Sequence, residues 1–407
     1  MKNFIPVTKQ EEIKMYKYKR VFTIVLDSLG IGNANDADAY GDQGTNTLKH
    51  ICDKYPQIEV PNLEGLGLGE LGDFNGIYKL PGFFGTVAKL NEISNGKDTM
   101  TGHYEMMGLK VENPFKTFTE TGFPKEFIKE FEEKTGYKTI GNIASSGTEI
   151  LDLYGEQQIQ TKELIVYTSA DSVFQIAAHE KYIGLDELYR CCEIARQLLL
   201  KDEWKVGRVI ARPFVGEKKG EFQRTANRHD WALEPFGRTV LNTLKDGGLD
   251  VIAIGKINDI FCGQGITNAI TTKSNEDGMN KTIELAKTDF TGLAFINLVD
   301  FDSMYGHRRN PIGYGKAIEK FDEQLNDLMY QLKEDDLLII TADHGNDPTY
   351  TGSDHTREQV PLIVYSKKLK GNQMLEDLES FAVIGATIAN NFKCELPPIG
   401  KSILEVL

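Results

Sequence analysis

The sequence predicts an α/β protein with a doubly wound core sheet, and three apolar runs support this prediction. Each run has strand length and strand-forming residues, and each ends at an acidic residue. The runs and their acids are residues 21–26 with Asp27, residues 293–299 with Asp300 and Asp302, and residues 337–341 with Asp343. Sites in open α/β sheets form beyond the carboxyl ends of the strands, so these three ends also predict a functional site.

The composition is typical of a soluble globular protein. The chain has 407 residues, 40% of them hydrophobic and 26% charged, and no apolar run approaches the roughly 20 residues of a membrane-spanning helix. The net charge of −14 argues against general binding of nucleic acid or anionic membranes. No C-x-x-C pair occurs, so we expect reduced thiols in a cytoplasmic protein. The five cysteines are Cys52, Cys191, Cys192, Cys262 and Cys394.

The chain divides into a core and an insertion. Residues 1–16 are polar and charged, without an apolar centre or cleavage site, and predict an N-terminal extension rather than a secretory signal. Residues 113–232 form a complete small α/β unit of their own, so we interpret them as an inserted cap domain. The core domain then consists of residues 17–112 and 233–407. No obligate protein partner is evident.

Local patterns predict the remaining elements. Strand-like runs occupy residues 21–26, 85–90, 164–168, 206–213, 251–254, 293–299, 337–341 and 361–365. Helical patterns occupy residues 46–55, 124–136, 185–200, 235–244, 313–334 and 378–392. Residues 61–72, which are rich in glycine and leucine, predict a packed loop.

Basic residues are concentrated in the predicted cap. Between Lys205 and Arg228 there are seven basic and two acidic residues, a local charge of +5 in an acidic chain. This balance favours a small anionic ligand, although a solvated cationic loop remains the simpler interpretation for any single residue. Lys256 follows the run 251–254 and either reaches a phosphate or extends from the strand end into solvent.

Three of the seven histidines lie close in sequence to the strand-end acids. They are His307, His344 and His355. Carboxylate oxygen and imidazole nitrogen suit zinc, manganese or iron better than calcium. Six ligands are too many for one tetrahedral ion and predict two ions in one site. The alternative is a set of strand-end acids that cap helices beside surface histidines.

Residues 96–103 place two hydroxyls, Thr99 and Thr101, in a glycine-bounded turn beside Lys97 and Asp98. The order G-x-x-x-x-G-K-[ST] of a phosphate-binding loop is absent. The turn either caps a helix or presents a nucleophilic hydroxyl, which metal ions activate without a histidine base.

These motifs together resemble the phosphopentomutase family of the alkaline phosphatase superfamily. The resemblance covers nearly the whole chain from about Lys17, and it implies an alkaline-phosphatase-like core with the smaller cap inserted. The segments that match are 25–28, 96–103, 169–172, 207–213, 300–302, 306–309 and 341–347.

The resemblance also implies roles for individual residues. Thr99 would be the nucleophile that takes up a phosphoryl group, with Thr101 as the alternative hydroxyl. One Mn²⁺ would be held by Asp302, His307 and His355, and the other by Asp27, Asp343 and His344. The sugar-phosphate pocket would be formed by Ser169, Asp171, Arg208, Ile210, Arg224 and Lys256.

The implied reaction interconverts ribose 1-phosphate and ribose 5-phosphate, and likewise the 2-deoxyribose phosphates. It would pass through phosphothreonine and a pentose 1,5-bisphosphate, with that compound or glucose 1,6-bisphosphate as primer. Two alternatives remain at this point. One is a two-metal phosphohydrolase or sulfatase of the same superfamily, and the other is a protein that binds a sugar phosphate without turnover.

Overall fold

The computed structural model describes residues 16–169, 172–352 and 354–407. The predicted extension therefore lies almost entirely outside the described residues, and so does Asp171. Within the described residues, the chain forms two α/β units, each built around its own sheet.

Fourteen strands are present in the described part of the chain. They are β1 (Arg20–Leu26), β2 (Thr86–Leu90), β3 (Thr139–Ala144), β4 (Leu164–Thr168), β5 (Val173–His179), β6 (Arg208–Val215), β7 (Gln223–Arg224), β8 (His229–Ala232), β9 (Asp250–Ile254), β10 (Asn268–Ile270), β11 (Gly292–Leu298), β12 (Asp336–Thr341), β13 (Val360–Tyr365) and β14 (Gln373–Met374). Eight of them form the first sheet in the order β10-β9-β11-β1-β12-β13-β2-β14.

The centre of the first sheet consists of the three strands whose ends were predicted to form a site. β1 lies between β11 and β12 and is parallel to both, with Leu26 beside Leu298 and Val25 beside Thr341. All residues of the three strands are buried, as expected for a parallel sheet covered on both faces. Their carboxyl ends therefore lie side by side at one edge of the sheet.

The second sheet is built from β3 to β8, and all of its strands come from residues 139–232. β6 is its hub, because it pairs with β5, β7 and β8. A separate apolar cluster packs against this sheet around Phe127, Phe174 and Trp204. The predicted boundaries of a cap at residues 113 and 232 agree with this separation but remain a prediction.

The helices are α1 (Thr47–Lys54), α2 (Pro61–Leu66), α3 (Thr99–Met106), α4 (Lys125–Thr135), α5 (Glu149–Thr161), α6 (Leu185–Leu198), α7 (Val240–Asp246), α8 (Ile257–Ile260), α9 (Asn275–Ala286), α10 (Pro311–Gln331) and α11 (Val383–Asn391). A π-helix, Phe301–Gly306, follows β11. No helix of the described residues has the length and apolar character needed to cross a membrane.

The largest differences from the sequence-based predictions are in three segments, and the last predicted helix begins at Val383 rather than at residue 378. Residues 61–72 are not a loop but α2 followed by the 3₁₀-helix Leu68–Leu71, since Pro61 occupies the first helical position, where its missing N–H costs nothing. The helix predicted from residue 235 begins only at Val240, because a capping box at Thr239 and Asn242 sets its start.

Candidate metal centre

Two of the strand ends bring together the first group of possible metal ligands. Asp27 follows β1 and Asp343 follows β12, so their carboxylates meet at the edge shared by these neighbouring strands. His344 adds a ring nitrogen, and its Nε2 lies 3.5 Å from both Asp27 Oδ1 and Asp343 Oδ2. All three side chains are buried. We call these residues the Asp27 group.

The π-helix after β11 organises a second group, Asp302, His307 and His355, which we call the Asp302 group. The backbone N–H of His307 donates to the carbonyl of Asp302 at 2.9 Å, the i→i+5 bond of a π-turn. This turn returns His307 to the side of Asp302, with Nε2 3.1 Å from Oδ2. The His355 Nε2 lies 3.7 Å from the same carboxylate oxygen and 3.1 Å from His307 Nε2.

The donor atoms of each group fit a divalent cation. Within each group they lie within 4.8 Å of one another and combine carboxylate oxygen with imidazole nitrogen. Asp27 Oδ1 and Asp343 Oδ2 are buried and accept no hydrogen bond from the described residues. His103 Nδ1 lies 3.2 Å from Asp343 Oδ2 but donates to the carbonyl oxygen of Thr99 instead. Buried carboxylate oxygens without partners are costly, and these two are the atoms that face His344, so a cation bound there would satisfy them.

Neighbouring groups hold the other oxygen of each carboxylate. The side-chain amide of Asn297 donates to Asp27 Oδ2 at 2.8 Å, and the backbone N–H of Ser28 donates to Asp343 Oδ1 at 3.0 Å. The Asn346 amide donates to Asp302 Oδ1 at 2.7 Å. Such contacts around metal ligands fix the direction in which the remaining oxygen points.

Negative charge is concentrated in this small volume. Burial, followed by the charge of Asp343, raises the pKa of Asp27. Burial also opposes ionisation of Asp302, but His307 and His355 together outweigh it, and the pKa of Asp302 falls well below its usual range. Burial opposes protonation of His344, but Asp343, Asp27 and Asp302 together raise its pKa well above the usual value. The acids and the histidines thus stabilise each other's charges. Bound cations would stabilise the charges of the carboxylates in the same way.

The two groups adjoin each other, and Thr99 lies beside them. The ring centroids of His344 and His355 are 4.1 Å apart. Thr99 is the first residue of α3, and its Oγ1 lies 3.2 Å from His344 Nε2. Asp98 caps the helix by accepting hydrogen bonds from the backbone N–H groups of Met100 and Thr101. The glycine-bounded turn therefore both caps a helix and presents a hydroxyl to the Asp27 group.

A cavity of about 950 Å³ extends from these residues to the second sheet. It is lined by Thr99, Asp302 and His307 on one side, by Arg208 and Arg228 on the second sheet, and by Lys256 after β9. The local positive charge noted in the sequence is thus partly directed into a cavity that reaches the candidate metal centre.

Comparisons with known proteins agree with this geometry. The model of the Metalloenzyme superfamily matches residues 19–396. Phosphopentomutase from Clostridium tetani (strain Massachusetts / E88) is 60% identical over 397 residues, covering 97% of this chain and all of the relative. The chain belongs to the phosphopentomutase family. It is therefore an isomerase that transfers a phosphoryl group within its substrate.

Other phosphopentomutases are similar over the same length, and solved structures share the fold. The enzyme from Clostridium botulinum (strain Alaska E43 / Type E3) is 59% identical, covering 97% of this chain and all of the relative. Leishmania mexicana phosphoglycerate mutase has a TM-score of 0.50 at 12% identity, covering 96% of this chain and 98% of that chain. A Pyrococcus horikoshii protein has a TM-score of 0.50 at 14% identity, covering 92% and 98%. The predicted alkaline-phosphatase-like fold class is confirmed.

The sugar-phosphate residues implied by the family lie in different surroundings. Arg208, at the start of β6, and Lys256 line the cavity. Ile210 is buried within β6, and Arg224 is exposed on β7. Ser169 follows β4, while Asp171 lies outside the described residues. The structure therefore brings Arg208 and Lys256 to the candidate centre, and the pocket roles of all six residues remain predictions.

Sequence reasoning missed residues that support the phosphopentomutase site. Asn297 is a single polar residue within the apolar run of β11, a signal that could have identified it. Asn346 belongs to the matching segment 341–347, but the sequence alone indicated no role for it. Arg228, noted in the sequence only as the end of the basic stretch, lines the cavity and forms a two-pronged ion pair with Asp230, two residues further along the chain, at 2.7 and 2.6 Å.

Proposed function

We propose that the chain interconverts ribose 1-phosphate and ribose 5-phosphate, and likewise the 2-deoxyribose phosphates. In this proposal Thr99 is phosphorylated, and a pentose 1,5-bisphosphate is the intermediate. A pentose 1,5-bisphosphate or glucose 1,6-bisphosphate would supply the first phosphoryl group as primer. The family membership supports the mutase activity, and the details of substrate and intermediate are our proposal.

One observation supports the proposed nucleophile most directly. The Thr99 hydroxyl is the group that meets both the Asp27 group, at 3.2 Å from His344, and the cavity in which a sugar phosphate would lie. Its position at the first turn of α3 adds the partial positive charge of a helix amino terminus, which stabilises a phosphoryl group.

We further propose that two Mn²⁺ ions are held at the centre. The Asp302 group would hold one and the Asp27 group the other, with Asn297, Ser28 and Asn346 orienting the carboxylates. When bound, two such ions lower the pKa of a hydroxyl and neutralise the charge of a transferring phosphoryl group.

Each transfer step conserves the phosphoryl group. The bond between phosphorus and Thr99 Oγ1 breaks as a bond to the free hydroxyl of the pentose monophosphate forms, and the hydroxyl proton passes to Thr99 Oγ1. The product is a 1,5-bisphosphate and unmodified Thr99. Reversal with the other phosphoryl group restores phosphothreonine and releases the isomeric monophosphate.

The bisphosphate must turn round between the two transfers without being lost. The basic residues Arg208, Arg228 and Lys256 line the same cavity and are suited to hold the phosphoryl group that is not reacting. Residues 113–232 would act as a cap that keeps water from phosphothreonine. Exclusion of water distinguishes a mutase from a hydrolase with the same two ions.

A product assay tests this proposal against its rivals. The purified protein is incubated with Mn²⁺, ribose 1-phosphate and a trace of glucose 1,6-bisphosphate, and the products are separated. We expect ribose 5-phosphate with little free phosphate. Release of stoichiometric phosphate would indicate the phosphohydrolase, and unchanged substrate would indicate a binding protein. The Thr99→Ala variant, purified in parallel, is the control for contaminating activities.

A further inference from the structure

His103 is a buried histidine that none of the metal-ligand groups includes. It lies on α3, one helical turn after Thr99, and its side chain is completely inaccessible to solvent. The ring nitrogen Nδ1 lies 2.8 Å from the carbonyl oxygen of Thr99 and 3.2 Å from Asp343 Oδ2. The other nitrogen, Nε2, lies 3.5 Å from Asn297 Nδ2, and the same amide nitrogen donates to Asp27 Oδ2.

The partners of the ring define its tautomer. The carbonyl oxygen of Thr99 can only accept a hydrogen bond, so Nδ1 must donate and therefore bears the proton. The amide nitrogen of Asn297 can only donate, so the Nε2 that faces it is the unprotonated nitrogen. One tautomer thus satisfies both contacts in the same ring orientation.

The helix that carries the ring is packed closely against the sheet. Gly102, the preceding residue, packs so closely on the backbone of Asp343 that a Cβ at this position would overlap its carbonyl oxygen. On the other side, the His103 ring lies 5.7 Å from the ring of Phe295 in β11. α3 is therefore seated directly against the strand end that bears a metal ligand.

We infer that His103 is a positioning residue that sets the distance between Thr99 and the Asp27 group. It links the main chain of the nucleophile to Asp343 and, through Asn297, to Asp27. A shift of about 1 Å in a reacting group lowers a rate by roughly 100-fold. We therefore expect the loss of His103 to slow phosphoryl transfer rather than to weaken metal binding. This inference rests on the proposed role of Thr99.

Two substitutions separate the two ring nitrogens. The side-chain amide nitrogen of His103→Asn can occupy nearly the position of Nδ1 and donate to Thr99, whereas that of His103→Gln reaches toward the position of Nε2. Each variant is saturated with Mn²⁺, and the rate of Thr99 phosphorylation by glucose 1,6-bisphosphate is followed by peptide mass spectrometry. Metal content, kcat and KM are measured on the same preparations.

We expect His103→Asn to retain labelling and kcat within about tenfold of the parent, and His103→Gln to lose on the order of 100-fold. Both should bind metal with the parent stoichiometry, with KM changed by less than about threefold. Parent-like labelling of His103→Gln, loss of metal, or equal losses in two folded variants would overturn the inference. If His103→Gln does not fold, the rate of His103→Asn decides alone.

If neither variant folds, His103 is required for the fold itself and the assignment as a positioning residue is wrong. If the proposed function is wrong, the result is different: the parent protein itself shows no label at Thr99. A labelled parent with an equally labelled His103→Gln variant would refute only the role of His103.

Discussion

The Oγ1 atom of Thr99 lies 3.2 Å from Nε2 of His344, at the edge where two buried strands end. The second hydroxyl of the same turn has a different environment, since Thr101 Oγ1 donates to Asp98 Oδ2 at 2.6 Å and is fully buried. The two threonines that sequence reasoning left as alternatives are thus distinguished by their partners.

We therefore predict that a bisphosphate primer labels Thr99 and not Thr101. Thr99→Ala should abolish the label and the mutase activity while both ions remain bound, because the six proposed ligands are intact. The matched variant Thr101→Val should keep the label and lose about 1 kcal/mol of stability, the usual value of one hydrogen bond. Peptide mass spectrometry locates the label, and a label on Thr101 would contradict the mechanism.

A second prediction concerns the two acids that follow β11. Asp302 belongs to a candidate ligand group, whereas Asp300 Oδ2 accepts a hydrogen bond from the backbone N–H of Asn275 at 2.8 Å. Asp302→Ala should reduce the metal content from two ions to one and abolish activity. Asp300→Ala should keep two ions. Elemental analysis of Mn²⁺-saturated preparations measures both, and the reverse pattern would show that the assignment is wrong.

A third prediction follows from Glu358, a buried acid outside the ligand groups. Its carboxylate accepts hydrogen bonds from Thr47 and Thr356, and burial raises its pKa to about 7 from a usual value of 4.5. Because the folded pKa is the higher one, the stabilisation is complete below pH 4.5. It is lost progressively as the pH rises through 7.

Glu358→Gln cannot titrate, so its stability should change relative to the parent over this range. Between pH 5 and pH 8 the difference in unfolding free energy should shift by about 2.5 kcal/mol in favour of the variant. Urea unfolding of both proteins at each pH provides the measurement, and the subtraction removes the titrations that they share. Parallel stability curves would show that folding does not raise the pKa of Glu358.

A fourth prediction concerns movement of the proposed cap. Leu233 lies at the predicted boundary between the cap and the core. Its N–H donates to the carbonyl of Gly207, which precedes β6 of the second sheet, at 2.8 Å, and its own carbonyl accepts from the hydroxyl of Tyr104 in α3, also at 2.8 Å. A bisphosphate held away from water requires closure about this boundary. Small-angle scattering of Thr99→Ala should show a smaller radius of gyration with ribose 5-phosphate than without it. Superimposable profiles would argue against closure.

The sequence was informative where chemistry follows from local pattern. Asp27 and Asp343 were predictable because an apolar strand and its terminal acid are adjacent in the chain, and parallel strands end at one edge. The spacing of Asp302 and His307 was visible, but the π-turn that brings them together depends on packing after β11. His103 and Asn297 were not predictable as partners, since their contact exists only once α3 rests on the sheet.

The order of strands also constrains how the chain is made. β1 is synthesised first, yet both of its neighbours in the sheet come much later, beginning at Gly292 and Asp336. During translation this largely apolar strand has neither partner available until most of the protein has left the ribosome. Nascent or truncated chains that end before Gly292 should therefore be prone to aggregation, and protection of residues 20–26 by a chaperone would matter most in that interval.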